Sequence, residues 1–330
     1  INFLSSIKNG GIKEKDFDYY IEDFMLYCVS KNLSKKTMKS YEQTLKLFQL
    51  YMEKEQGIRD VDKVTSKQIR EYISYLKERG KYTVQVANAD INRPESRADN
   101  GKDISITTIN NYLRNIKVFY NYLEEEHIIN ENPLRRIKQL KQTIEKKEPL
   151  TKDEVRRLLG AFDTTVFHEY RDYMTTKLLL SVGARIGETL SLEIDNLDFR
   201  NNTILFKDTK NKKEKLSYMT PKLSSELKKW ISYKERYSNN DYLFPTTKNT
   251  KMTVQNFEQN LKRTSKKVGL DVNPHRLRYT FANDFLKAGG SIYVLSKLLD
   301  HSSVKVTEIY LNFSRDDIRQ EYLKHTAIDY

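Results

Sequence analysis

The sequence predicts a mainly α-helical protein of two domains, with a small antiparallel β-sheet in the C-terminal one. Three observations carry this. Apolar residues recur at helical spacing through most of the first half. A basic, proline-containing stretch without that spacing separates the halves. In the second half, two short strand-like segments bracket a polar tip. At 330 residues the chain is long enough for two ordinary domains and their cores.

In "SKKTMKSYEQTLKLFQLYMEKE", Met38, Tyr41, Leu45, Phe48 and Met52 form one stripe at steps of three and four, with Ser34 as the expected N-cap. A second stripe runs through Ile109, Leu113, Ile116, Tyr120 and Leu123. "DFDYYIEDFMLYCVSK" and "SKQIREYISYLKERG" supply two further helices, completing a small helical domain. Residues 81–105 lose the period and read as an irregular loop, with room for a short hairpin. Pro133 is expected to stop the preceding helix, and residues 131–149 read as a basic linker. "LTKDEVRRLLGAF" then opens a helix with Thr151 as N-cap and Glu154 completing a capping box. "NTILF" (202–206) and "KLSYMT" (215–220) read as a hairpin around the lysine-rich tip "KDTKNKKE". There is no internal repeat and no glycine-rich phosphate loop.

Lys and Arg total 58 against 45 Asp and Glu, a formal net charge of +13. Such an excess points to a polyanion, most simply nucleic acid. A lysine-rich surface inherited from an AT-rich genome is the plainer source of the same excess. One cysteine, Cys28, excludes an intrachain disulfide and a cysteine zinc cluster. No apolar run approaches the length of a membrane span, and "INFLSSIKNGG" does not read as a secretory signal, so a cytoplasmic location is expected.

Three stretches can carry chemistry. In "SVGARIGETL" an apolar helix ends at Gly183, Arg185 follows in the turn, and Glu188 sits three residues on. Arg185 could grip a phosphate there, or simply form a surface pair with Glu188. In "NPHRLRYTF", Asn273 and Pro274 suit a helix start, and His275 and Arg278 share a face. That face suits an anion, and His275 could move a proton; a capping histidine beside solvated arginines fits equally. In "LSKLLDHSSVKVTEIYLNFS", His301 follows an apolar helix and Tyr310 lies nine residues further on. With 22 tyrosines in the chain, Tyr310 stands out only through these neighbours.

Taken together, "GARIGE", "HRLR" and "LLDHSSVKVTEIY" resemble the tyrosine recombinases, the family of phage and transposon integrases and of chromosome-dimer resolving enzymes. Order and spacing match across the second half. The resemblance implies that Arg185 and Arg278 clamp a scissile phosphate, that His275 and His301 complete its hydrogen bonding, and that Tyr310 is the nucleophile. Lys210 matches the family's active-site lysine, among Lys207, Lys212 and Lys213, and Glu188 its acidic supporting position. The family usually has glycine where this chain has Asp300, an unexpected negative charge beside a phosphate site. The chemistry fits these residue types. Attack on a phosphodiester concentrates negative charge that fixed cations can meet without a metal or other cofactor. Nearby positive charge lowers the tyrosine pKa, His275 could accept its proton, and a lysine could protonate the leaving hydroxyl.

The implied organisation is an N-terminal extension (1–14), a helical core-binding domain (15–137), a basic linker (138–149) and a catalytic domain (150–330), closing on double-stranded DNA as a two-domain clamp. Lys35, Lys36, Lys39, Arg135, Arg136, Lys138, Lys141 and Lys212 are candidates for backbone contact, and residues 36–46 and 81–105 for base contact. The family also implies a homotetramer on DNA from a monomer or weak oligomer, with accessory directionality or DNA-bending proteins as further partners. Its setting is bacterial, phage or transposon-encoded, at the nucleoid and not at a membrane. In the tail, Ile318, Tyr322 and Leu323 form a short apolar face suited to a neighbouring subunit or to the chain's own domain. Two other activities suit parts of this set: a DNA-relaxing topoisomerase that cuts one duplex, and a DNA-binding regulator without catalysis. The small helical first domain and the "HSSVKVTEIY" spacing favour recombination, and every expected polar position is filled.

Overall fold

The computed structural model describes residues 16–83, 99–142, 148–207, 214–301 and 303–310. The chain divides into two compact units, Ile1–Glu145 and Lys146–Tyr330.

The first unit holds helices α1 (Phe17–Ser30), α2 (Lys35–Gln56), α3 (Ser66–Glu78) and α4 (Ile106–Glu125). Their starts follow from side-chain caps: Ser34 accepts from Thr37 N on α2, and Thr65 with Gln68 forms a capping box on α3. Gly57 ends α2 in the left-handed conformation, φ 64°. The predicted stripes meet in one core: Leu45, Phe48 and Met52 of α2 pack with Ile109, Leu113, Ile116, Tyr120 and Leu123 of α4, beside Phe17, Ile21 and Phe24 of α1.

Two details differ from the sequence reading. Helix α4 ends at Glu125, well before Pro133, because the chain turns at His127, where φ is 58°. The segment after Pro133 is anchored to this unit. Leu134 is buried, and the Asn110 side chain bonds both backbone groups of Leu140, at 2.8 and 3.0 Å. The ends of the 81–105 loop are pinned by two backbone bonds, Lys81 N to Lys102 O and Gly101 N to Lys81 O. Residues 84–98, where a hairpin had room, lie outside the described residues, as does the extension 1–14.

The second unit contains α5 (Lys152–Gly160), α6 (Phe167–Val182), α7 (Ile186–Leu190), α8 (Pro221–Lys234), α9 (Val254–Lys267), α10 (Pro274–Lys287), α11 (Ile292–Leu298) and α12 (Val304–Thr307), then a 3-10 turn Glu308–Tyr310. The Thr151–Glu154 capping box is present. Besides the predicted strands β2 (Thr203–Phe206) and β3 (Lys215–Tyr218), a short β1 (Leu197–Asp198) completes a three-stranded antiparallel sheet in the order β1-β2-β3. Leu205 faces Leu216 and Phe206 faces Lys215 across the ladder. Alternation turns Lys215 and Ser217 inward and leaves Leu216 and Tyr218 exposed. Helix α6 is buried along most of its length and packs on α10. A smaller cluster of Ala282, Leu286, Leu295, Leu299 and Tyr310 joins α10, α11 and the last turn. Among the described residues, no helix is long and apolar enough to cross a membrane.

Candidate active site

The site assembles where the ends of α6, α10 and α11 meet the turn at Tyr310. Gly183 makes the first corner. Its φ is 65°, and a Cβ there would lie 2.2 Å from the Phe281 ring, so the turn admits only glycine without rearrangement. That corner points the Gly183 carbonyl at α10 and starts α7 with Arg185 as its N-cap. Glu188 reaches back to the N-cap: its Oε2 accepts from Arg185 N at 3.1 Å and its Oε1 from Arg185 Nη1 at 2.7 Å.

On α10, Asn273 caps Arg276 N and Pro274 occupies the first turn, as the sequence predicts. One turn on, Arg278 is 4% exposed. Its Nη1 donates to Gly183 O at 2.8 Å, and its Nη2 to Leu299 O at 2.7 Å and to His301 Nε2 at 3.1 Å. A planar guanidinium alone among side chains spans such a set. Burial lowers the Arg278 pKa, while the adjacent Tyr310 hydroxyl and Glu188 favour its charge and Arg185 opposes it. His275 lies on the same helix but is exposed, and no hydrogen bond or ring contact joins it to Arg278, His301 or Tyr310 among the described residues.

The donor–acceptor logic fixes the His301 tautomer. Arg278 can only donate, so Nε2 accepts and Nδ1 carries the proton, which it gives to Thr307 Oγ1 at 2.8 Å. Burial, then Arg278 and Arg185, push the His301 pKa down to about 4, so the imidazole is neutral at pH 7. The ring lies parallel to Tyr310 at 5.8 Å, and Tyr279 packs on Tyr310 at 5.4 Å.

The depressed His301 pKa sets a stability window. Between about 6.5 and about 4 the unfolded chain binds the proton that the folded site refuses, so stability falls as pH drops through that range. His301→Asn cannot titrate and escapes this loss, so its stability relative to wild type should rise as pH falls from 7 to 4.5, by on the order of 2 kcal/mol or less after solvent screening. Thermal unfolding of both proteins across that range checks this; a constant difference would mean that His301 titrates normally.

Lys215 joins the site from β3, where alternation had already turned its side chain inward. Its Nζ lies 3.2 Å from Glu188 Oε2 and 4.7 Å from the centre of the Phe206 ring. Burial lowers its pKa, Glu188 opposes that, and Arg278 and Arg185 add to it. The Glu188 carboxylate, in turn, is held below its ordinary range despite burial, by Lys215 and Arg185. Lys215→Met leaves this carboxylate with one cation fewer and should destabilise the protein by about 1–3 kcal/mol. Adding Glu188→Gln should recover part of that loss, since the unpaired charge goes too. Chemical denaturation of the single and double variants tests this; simple additivity would contradict the coupling.

The sequence reading thus finds Arg185, Glu188, Arg278, His301 and Tyr310 gathered at one place. Lys210, Lys212 and the tail residues Ile318, Tyr322 and Leu323 lie outside the described residues. Lys35, Lys36, Lys39, Arg135, Arg136, Lys138 and Lys141 are all exposed on the first unit. Three members were missed. Lys215 was not readable, because alternation in "KLSY" marks Leu216 and Tyr218 as the apolar face, whereas Lys215 and Ser217 are the buried ones. Thr307 and Tyr279 carry no sequence signal beyond their nearness to Tyr310 and Arg278. No group of three or more His, Cys, Asp or Glu that could hold a metal ion occurs among the described residues.

The chain matches the phage integrase family over residues 148–316 and the N-terminal SAM-like domain of phage integrases over 21–90. It is 37% identical over 183 residues to tyrosine recombinase XerA of Saccharolobus solfataricus, a match spanning 55% of this chain and 58% of that one. It is 27% identical over 301 residues to tyrosine recombinase XerC of Leptospira interrogans, covering 90% and 89% of the two chains. The fold is similar to that of the Tn1549 transposon integrase solved in complex with a circular intermediate DNA, with a TM-score of 0.74 at 19% identity over 94% of this chain and 99% of that one. The chain belongs to the phage integrase family, the family of tyrosine-type site-specific recombinases.

Proposed function

We propose that this protein cuts and rejoins double-stranded DNA at specific sites through Tyr310, exchanging strands in pairs through a four-way junction within a homotetramer, in the integration and excision of a mobile element. One observation carries the chemistry: the Tyr310 hydroxyl sits beside the buried Arg278 guanidinium, which is itself locked to two carbonyls and His301. A phosphate entering between Arg185 and Arg278 meets two fixed guanidinium groups and lies within reach of that hydroxyl.

In this mechanism Tyr310 Oη attacks phosphorus and the bond to the 5′ oxygen breaks. A 3′-phosphotyrosine forms and a 5′ hydroxyl leaves. The tyrosine proton passes to a base, for which His275 is the candidate on α10. The leaving oxygen takes a proton from a cationic group, for which Lys210 is the candidate. A 5′ hydroxyl from the partner strand reverses the step, so the phosphoester bond energy is retained and no ATP is needed. The arriving phosphate also changes His301. Burial and the two arginines hold the imidazole neutral, and the phosphate's negative charge offsets the arginine part, which favours a protonated His301. The exposed lysines and arginines of the first unit would supply the sequence-independent part of DNA affinity.

The test is covalent trapping. Protein is mixed, in chelator, with nicked duplexes tiling the DNA that flanks its own gene, and the products are separated under denaturing conditions. The expected result is a protein–DNA adduct that survives chelation, with junction intermediates when two duplexes are supplied. Relaxation of supercoiled DNA without junctions would point to a topoisomerase, and binding without any adduct to a regulator.

A further inference from the structure

We propose that Asp300 competes with the scissile phosphate for Arg185, its carboxylate holding the guanidinium until DNA displaces it. The proposal rests on the reading of Arg185 as a phosphate ligand. Asp300 Oδ2 lies 3.5 Å from Arg185 Nη1, and the Asp300 carbonyl accepts from Nη2 at 3.2 Å. Arg185 therefore has two carboxylate neighbours of different character. Glu188 is 3% exposed at the side chain, sits at 2.7 Å, and is tied to Lys215 and to the Arg185 backbone as well. Asp300 is 25% exposed, against 29% for Arg185, and its contact is the longer one. Glu188 is built in, whereas the Asp300 carboxylate makes the longer and more exposed of the two contacts, the one an arriving anion displaces.

The backbone explains why the side chain stands there. Asp300 adopts φ 51°, in the left-handed region where glycine is at ease and Asp and Asn are the commonest exceptions. A glycine would make the same turn, bond Arg185 through the same carbonyl, and bring no charge. The electrostatic effect of the Asp300 carboxylate is large for so small a site. Among the described residues, Arg185, Arg278 and Lys215 face Glu188 and Asp300, with His301 neutral, leaving one net positive charge. Without the Asp300 charge the net is two. With Asp300 charged, phosphate capture depends on help from DNA contacts elsewhere on the protein, so that a loosely engaged duplex is cut slowly.

Asp300→Asn is the clean variant, because asparagine keeps the size and tolerates the left-handed backbone while losing the charge. Inorganic phosphate alone, titrated against thermal unfolding, should stabilise Asp300→Asn at roughly threefold to tenfold lower concentration than wild type. The advantage should shrink between about 50 mM and about 300 mM sodium chloride, as screening weakens a partly exposed pair. The rate of adduct formation on nicked duplexes, corrected for DNA bound, should rise by a similar factor. Asp300→Gly should match Asp300→Asn in both assays. Equal or weaker phosphate binding by Asp300→Asn would overturn the proposal and make Asp300 a positioning group for Arg185. A gain confined to Asp300→Gly would overturn it in favour of backbone relief. If Arg185→Ala, folded by its unfolding transition, forms adduct and binds phosphate like wild type, the reading of Arg185 falls and the proposal with it. Loss of both in Arg185→Ala with no gain in Asp300→Asn sinks the proposal alone.

Discussion

Replacing Tyr310 by phenylalanine is expected to abolish the covalent protein–DNA adduct, a loss of at least about 10⁴-fold, with DNA affinity within about twofold of wild type. The substitution removes one oxygen and little else. Tyr310 is 6% exposed, and its ring stays held between His301 and Tyr279. The missing hydroxyl leaves Arg278 with one partner fewer, costing about 1 kcal/mol, which does not unfold a domain. Retained fold and binding with lost adduct would therefore locate the chemistry at the hydroxyl. The measurement is the trapping assay beside a gel-shift titration on the same duplex. Tyr279 makes the comparison demanding, because it is the tyrosine in ring contact with Tyr310. Burial raises its pKa, and Glu148 and Tyr310 raise it further, so it is a poor stand-in nucleophile. An adduct that persists in Tyr310→Phe, with Tyr279 carrying the nucleotide, would refute the assignment.

How much of this was legible in the sequence depends on the range of the interaction. Caps and apolar stripes are local, so Ser34, Thr151, Asn273 and the stripes of α2 and α4 were readable from spacing. The end of α4 was not, because a histidine at positive φ stops it where a proline further on was the visible signal. At the site, residue types and order singled out Arg185, Glu188, Arg278, His301 and Tyr310, but not the backbone partners that hold Arg278. The acceptors of Arg278 are backbone carbonyls of Gly183 and Leu299, and a carbonyl has no letter in the sequence. Lys215 was hidden by its lysine-rich neighbourhood, since burial and not identity separates it from the others. Asp300 read as an anomaly until its backbone angle and its contact with Arg185 were known.

Arg278→Lys carries the other large effect, although it conserves charge. Lysine offers three donors from one point, while Arg278 spans two carbonyls and an imidazole in different directions. At least one of those acceptors would be left unpaired in a buried place, at a cost of about 2–4 kcal/mol. Cleavage should fall about 10²- to 10⁴-fold, because the fork that fixes the phosphate and His301 is gone. The residual activity should also acquire a distinctive pH dependence. The burial that lowers the Arg278 pKa leaves an arginine charged, but acts on a lysine whose pKa starts about two units or more lower. The neighbouring Arg185 pushes in the same direction. The ammonium should therefore hold its proton less tightly than an exposed lysine, although Tyr310 and Glu188 work the other way, so that cleavage by Arg278→Lys, relative to wild type, rises as pH falls from 8 toward 6. Arg278→Met, with no group to titrate, should show no such rise. Single-turnover cleavage of a nicked duplex across that range separates the two variants. If they are equally slow and equally flat in pH, cationic charge at this position contributes nothing without the fork, and the electrostatic account of Arg278 fails while its role as a scaffold between Gly183, Leu299 and His301 stands.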